Sequence, residues 1–188
     1  MSLPDPHPSR RLVIRAAASI GLAALVAGCF QPLYGQRSPM GGSAVGEALR
    51  GVEVQQISAP SGTSLARIAN EVRNNLIFGL TGGSGQSAAT HRLIIQLSAG
   101  REQVIVDVTT ARPDIENFNL NATYTLVDLS TNETVVRGQS FARVSYDIPG
   151  QAQRFARDRG MRDAENRAAG VIADNIKTRL ASYFVAGT

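Results

Sequence analysis

The one cysteine of this 188-residue chain, Cys29, closes the run Leu25-Val26-Ala27-Gly28-Cys29. A thiol in that setting can accept a diacylglyceryl group through a thioether. The apolar residue three places before it and the small residues next to it suit a peptidase cleft that cuts between Gly28 and Cys29, and the freed amine can then be acylated too. Several chains on one residue hold to a bilayer stably where a single chain holds only marginally. The segment ahead has the matching order. Arg10, Arg11 and Arg15 form a positive start, and residues 16–27 are apolar or small throughout. That stretch is shorter than the roughly 20 residues that span a bilayer and has the length of a signal-peptide apolar region. Together these residues read as a bacterial lipobox. The competing reading is an ordinary secretory signal that happens to hold a cysteine. It is disfavoured because Cys29 has no second cysteine with which to pair in an oxidising compartment. The pair Arg10-Arg11 resembles a twin-arginine export signal. A general secretory signal is the simpler reading, since no cofactor-binding pattern follows that would demand export in a folded state.

Other reactive side chains are sparse. His7 lies in the extreme N-terminus, and His91 opens a candidate strand beside Arg92, where a strand-end role is expected. Asp107, Asp114 and Glu116 lack calcium-loop spacing and read as surface carboxylates. No serine sits in a Gly-x-Ser-x-Gly elbow. The glycine cluster after residue 81 lacks the Lys-Ser/Thr of a phosphate loop. We therefore expect no catalytic residue, no metal and no cofactor beyond the covalent lipid. The densest charge feature is Arg154, Arg157, Arg159 and Arg162 among Asp158, Asp163 and Glu165. Arginine binds phosphate as a planar fork, so these four are candidate contacts for a phosphate-rich lipid or an acidic barrel wall. The alternative is a solvated helix face paired internally, Arg154 with Asp158 and Arg159 with Asp163. Without residues 1–28, which carry three arginines and one aspartate, the net charge falls from +4 to +2. With aromatic residues at 5% and no tryptophan, that modest charge argues against a nucleic-acid partner.

The elements that must position these residues follow from periodicity. Residues 29–48, rich in Gly, Pro, Ser and Gln, read as a flexible tether. Residues 51–57 alternate as a short strand, with Val52, Val54 and Gln56 on one face. Leu65, Ile68, Ala69, Val72, Leu76 and Leu80 predict an amphipathic helix over 64–80, with Thr63 or Ser64 as N-cap. Residues 91–97 and 103–109 have strand character, and Gly100 between them marks either a bulge or a hairpin turn. Residues 117–129 alternate Phe118, Leu120, Ala122, Tyr124 and Leu126 with Asn119, Asn121, Thr123 and Thr125. A turn at 130–133 and a strand over 134–146 complete a hairpin. A helical stripe from Ala164 to Phe184, through Val171, Ile172, Asn175, Ile176, Arg179 and Leu180, predicts a last helix over about 152–184. This order predicts an α+β two-layer sandwich, with two helices on one face of a mostly antiparallel four-stranded sheet. The other face stays wet or meets a partner. The domain organisation is then a signal peptide (1–28), a lipid-anchored tether (29–48) and one domain (49–188).

Cys29-Phe30-Gln31-Pro32-Leu33-Tyr34-Gly35, directly after the lipobox, resembles the start of the mature LPS-assembly lipoprotein LptE, in particular its alphaproteobacterial members. The glycine that usually follows the cysteine is absent here. The stretch 157–168 resembles the acidic-basic, alanine-rich opening of that family's C-terminal helix, and the order of elements agrees with its fold. The resemblance implies a non-enzymatic outer-membrane lipoprotein that plugs the LptD β-barrel, helps it assemble and takes part in delivering lipopolysaccharide to the outer leaflet. Phe30, Pro32, Leu33 and Tyr34 would then form an apolar segment close to membrane and barrel. A lipid-anchored periplasmic module that binds a ligand or inhibits an envelope enzyme shares the same anchor and a generic sandwich, and is the alternative.

The lipid is expected to do the anchoring alone. Cys29→Ala should leave the body folded and release it from membranes, with the loss of acyl mass visible in intact-protein mass spectrometry. Unchanged membrane retention and mass would refute the anchor.

Overall fold

Strict alternation along one strand sets the architecture. In the computed structural model, which describes residues 43–83, 85–107, 112–148 and 154–186, strand β3 (Arg112–Asp128) turns Phe118, Leu120, Ala122, Tyr124 and Leu126 to a dry face. Side chains at 43, 44, 105–107, 112–114 and 154 are outside that description. Two antiparallel neighbours flank β3, namely β2 (His91–Asp107) and β4 (Thr134–Asp147). The register puts Leu93 and Val136 beside Leu126, and Val144 beside Phe118. A short strand, β1 (Val52–Val54), pairs in parallel with β2, so the sheet order is β1-β2-β3-β4. A parallel pair needs a crossover, and helix α2 (Ser64–Thr81) supplies it. Helix α1 (Ser43–Arg50) precedes β1, and the long helix α3 (Arg154–Ala186) ends the fold. The result is an α+β two-layer sandwich with a mixed sheet.

Each helix has a local reason for its ends and its buried face. Thr63 caps α2, its hydroxyl oxygen accepting the Ala66 N–H at 3.2 Å. Gly82 stops it in the left-handed conformation at φ 61°, and its N–H donates to the Phe78 carbonyl. Ile68, Val72, Leu76 and Leu80 face inward. Helix α3 buries Ala164, Ala168, Ile172, Ile176 and Leu180, with Ala169, Ala173 and Ala181 beside them. Small side chains let its axis come close to both α2 and the sheet.

Four details differ from the expectations. The tether expected through residue 48 gives way to α1, because Leu49 enters the core and Val45, four residues earlier, packs against it. The compact unit accordingly starts at residue 44. Strand β1 stops at Val54, and Gln56 is exposed rather than sharing the face of Val52 and Val54. Gly100 is neither turn nor bulge: it pairs with Asn119 inside one continuous β2, and the register shifts fall after Val104. On α3, Val171, Asn175 and Arg179 are exposed, since the core stripe is centred on Ile172 and Ile176. Among the described residues, no helix is long and apolar enough to cross a membrane.

Gly138 faces Tyr124 across β3 and β4, and a Cβ there would enter the phenol ring. The ring is stiff and buried and has little room to yield, so Gly138→Ala should cost about 1–3 kcal/mol. Gly100→Ala meets open space in the middle of a strand and should stabilise by about 0.5 kcal/mol. Urea unfolding midpoints of the two variants give the comparison.

Candidate functional site

Of the residues singled out by the sequence, Gly28, Cys29, Phe30, Pro32, Leu33 and Tyr34 lie outside the described residues, as does the Arg154 side chain. Two surfaces of the folded body remain: the N-terminal end of α3 and the uncovered face of the sheet.

At the first surface, α3 crosses the far end of the β2–β3–β4 sheet. The Tyr146 hydroxyl donates to the Glu116 carboxylate at 2.5 Å, and Arg157 approaches the same oxygen at 3.5 Å. Glu116 is only 4% exposed, so it is not the surface carboxylate expected. Its position explains this: 116 is in phase with 118, 120 and 122, and the strand begins earlier than residue 117. Burying a carboxylate is tolerable when a cation and a hydroxyl answer it. Burial first, and then the Glu116 carboxylate, push the Tyr146 phenol up to about 12. One of the four candidate arginines, Arg157, is therefore committed to an internal contact, though part of its side chain stays exposed.

Arg159 and Arg162 are exposed and, among the described residues, form no salt bridge. The pairing expected between Arg159 and Asp163 does not form. Asp163 pairs with Arg167 at 2.7 Å instead. An acid four residues before a base is the better orientation along a helix, because it agrees with the helix dipole. Next to them Phe155 is 84% exposed, and Arg101 from β2 reaches the Met161 sulfur at 3.3 Å. Farther along α3, the buried Glu165 carboxylate meets Arg67 of α2, whose other nitrogen donates to Asn166 at 3.2 Å.

The second surface carries the side chains that β2, β3 and β4 turn away from the helices. In register these form cross-strand rows: Gln96–Thr123–Gln139, Ser98–Asn121–Phe141, Gly100–Asn119–Arg143 and Glu102–Asn117–Ser145. Ser145 donates to Asn117 at 2.7 Å, and Arg143 donates to Asn119 at 2.9 Å. Arg143 also pairs with Glu102 at 3.4 Å, and its guanidinium carbon lies 5.9 Å from the centre of the Phe141 ring. Asn121, Thr123, Gln139 and Phe141 line an open depression of about 330 Å³.

His91 sits at the strand end expected of it. Its Nε2 lies 3.9 Å from Asp128, and its ring packs edge-wise with Phe184 at 5.1 Å. The Ser130 hydroxyl and N–H, at 2.6 and 2.7 Å, hold the Asp128 carboxyl below its usual range. This arrangement closes the β3–β4 turn and ties the end of α3 to it. Among the described residues, no His, Cys, Asp and Glu side chains gather into a group that could hold a metal.

No family model matches the chain, and no curated protein matches it. Solved structures do. A crystal structure of a candidate lipoprotein from Caulobacter crescentus superposes with a TM-score of 0.59 at 22% identity, over 77% of this chain and 97% of that one. The rare lipoprotein B of Shewanella oneidensis superposes with a TM-score of 0.51 at 18% identity, over 72% of this chain and 96% of that one. At these identities the likeness is one of fold.

The Tyr146–Glu116 contact has a predictable pH signature. The phenol, ordinarily at 10.0, is held near 12 in the folded chain. Its stabilising contribution is therefore complete below pH 10 and is lost as the pH rises from 10 to 12. Tyr146→Phe should cost about 1–3 kcal/mol at neutral pH by leaving Glu116 short of a donor, and should flatten the stability loss over that alkaline window. Urea midpoints measured across the window test both effects.

Proposed function

We propose that this chain is an outer-membrane lipoprotein anchored through Cys29. It plugs an LptD-like β-barrel from the periplasmic side, helps that barrel assemble and takes part in delivering lipopolysaccharide to the outer leaflet. The observation that carries the reading is the lipobox running straight into Phe30-Gln31-Pro32-Leu33-Tyr34, ahead of a body whose fold resembles that of solved structures described as lipoproteins. In this reading the protein is not an enzyme and holds no cofactor beyond its lipid. It works as a rigid, polar-surfaced body held at the membrane.

The surfaces suit that role. The lumen of a large barrel is polar, and the rows Gly100–Asn119–Arg143 and Glu102–Asn117–Ser145 at one end of the open sheet face can hydrogen-bond such a wall. Arg159 and Arg162 project outward at one end of the body and can meet carboxylates or phosphates. The lipid anchor raises the local concentration of the plug at the barrel mouth. The depression on the open face favours a second reading, a lipid-anchored periplasmic module that binds a ligand or inhibits an envelope enzyme.

Affinity purification of the tagged protein from detergent-solubilised membranes is expected to recover a large β-barrel, and depletion should remove lipopolysaccharide from the cell surface. Recovery of soluble periplasmic proteins alone, with an intact outer leaflet, would favour the second reading and overturn the first.

A further inference from the structure

We infer that the depression between β3 and β4 on the open face of the sheet is a saccharide-binding site. Phe141 is its stacking platform, and Asn121, Thr123 and Gln139 are its hydroxyl partners. The ligand class follows from the chemistry of this surface. Its identification with the sugar portion of lipopolysaccharide rests on the reading proposed above.

Phe141 is 51% exposed in the middle of a field of amides and hydroxyls. One face of the ring is taken by Arg143, which Asn119 and Glu102 hold in place, so the opposite face is the one a sugar would stack on. On the other side, in register, stand Asn121 and the row Thr123–Gln139. Among the described residues, none of these three side chains hydrogen-bonds another, so their donors and acceptors face solvent ready for a ligand. Strands about 4.8 Å apart and same-face residues about 6.7 Å apart make the block of Asn121, Thr123, Gln139 and Phe141 roughly 5 by 7 Å, near the size of one pyranose ring.

Charge narrows the choice of ligand. Glu102 answers Arg143, and among the described residues Arg137 in the adjoining row is the one cation this face leaves over, far short of the surplus that a nucleic acid requires. A protein partner needs on the order of 800 Å² with an apolar centre; the patch offers one ring among amides. A pyranose presents what the surface can use: C–H bonds on one ring face for the aromatic, and hydroxyls that both donate and accept around its rim.

Saturation-transfer NMR on the detergent-solubilised full chain tests the site without any barrel. The probes are maltotriose, chitotriose and the saccharide released from lipopolysaccharide by mild acid. Transfer to ring protons of at least one of them is expected, falling about fivefold or more in Phe141→Ala and persisting in Phe141→Tyr. Gln139→Ala, an exposed change outside the core, gives the same reading should Phe141→Ala fail to fold. No transfer to any of the three overturns the site, and so does undiminished transfer in folded Phe141→Ala or Gln139→Ala. Either result leaves barrel recovery unaffected. Retained transfer without barrel recovery would instead sink the plug and keep the site.

Discussion

The sheet has one dry face, and most of the molecule is arranged around that asymmetry. Five consecutive inward positions of β3, from Phe118 to Leu126, are buried, while the residues between them are polar. With a period of two, a one-residue slip would put Asn119, Asn121 and Thr123 into the core and strip their water. That penalty locks the register of β2, β3 and β4. It also leaves a single side for the helices to occupy, which is why α2 and α3 pack against each other as well as on the sheet.

Close approach of α3 depends on small side chains. Ala164, Ala168, Ala169, Ala173 and Ala181 are buried along it, with Ile172, Ile176 and Leu180 filling the space between. Interiors pack at nearly crystalline density, so a helix lined by alanine must sit near the strands it covers. The two carboxylates buried among the described residues then act as fasteners at its N-terminal half: Glu165 ties α3 to α2 through Arg67, and Glu116 ties β3 to β4 and α3 through Tyr146 and Arg157. In each pair the carboxylate is buried while the arginine stays about two-fifths exposed, so removing the arginine is the costly change, because it leaves the carboxylate charged and dry. Such fasteners select one seating of the helix over its neighbours.

The same asymmetry generates the two candidate surfaces. Once the helices take one side, the amide and hydroxyl rows on the other are exposed by default, and a single aromatic among them becomes conspicuous. Arg157 turns inward to serve the fold, whereas Arg159 and Arg162, close by on the same helix, remain outside. One arginine cluster is thus divided between structure and surface by helical phase alone.

Periodicity made much of this legible. The alternation of β3, the three-and-four spacing of α2, the Thr63 cap and the hairpin of β3 and β4 are local patterns, and local patterns survive into the fold because burial selects for them. The lipobox reading of residues 25–29 rests on a different kind of pattern, a short run of residue types rather than a period. What escaped were features that need a second element to define them. Glu116 is buried only because Tyr146 and Arg157 arrive from β4 and α3; Val45 and Leu49 make a helix only because a core lies beside them; Gly100 stays in its strand because β3 pairs straight past it. Sequence alone determined which residues prefer water and at what period. Tertiary structure decided which charges are paired and which face stays open, because those outcomes depend on distances between segments far apart along the chain.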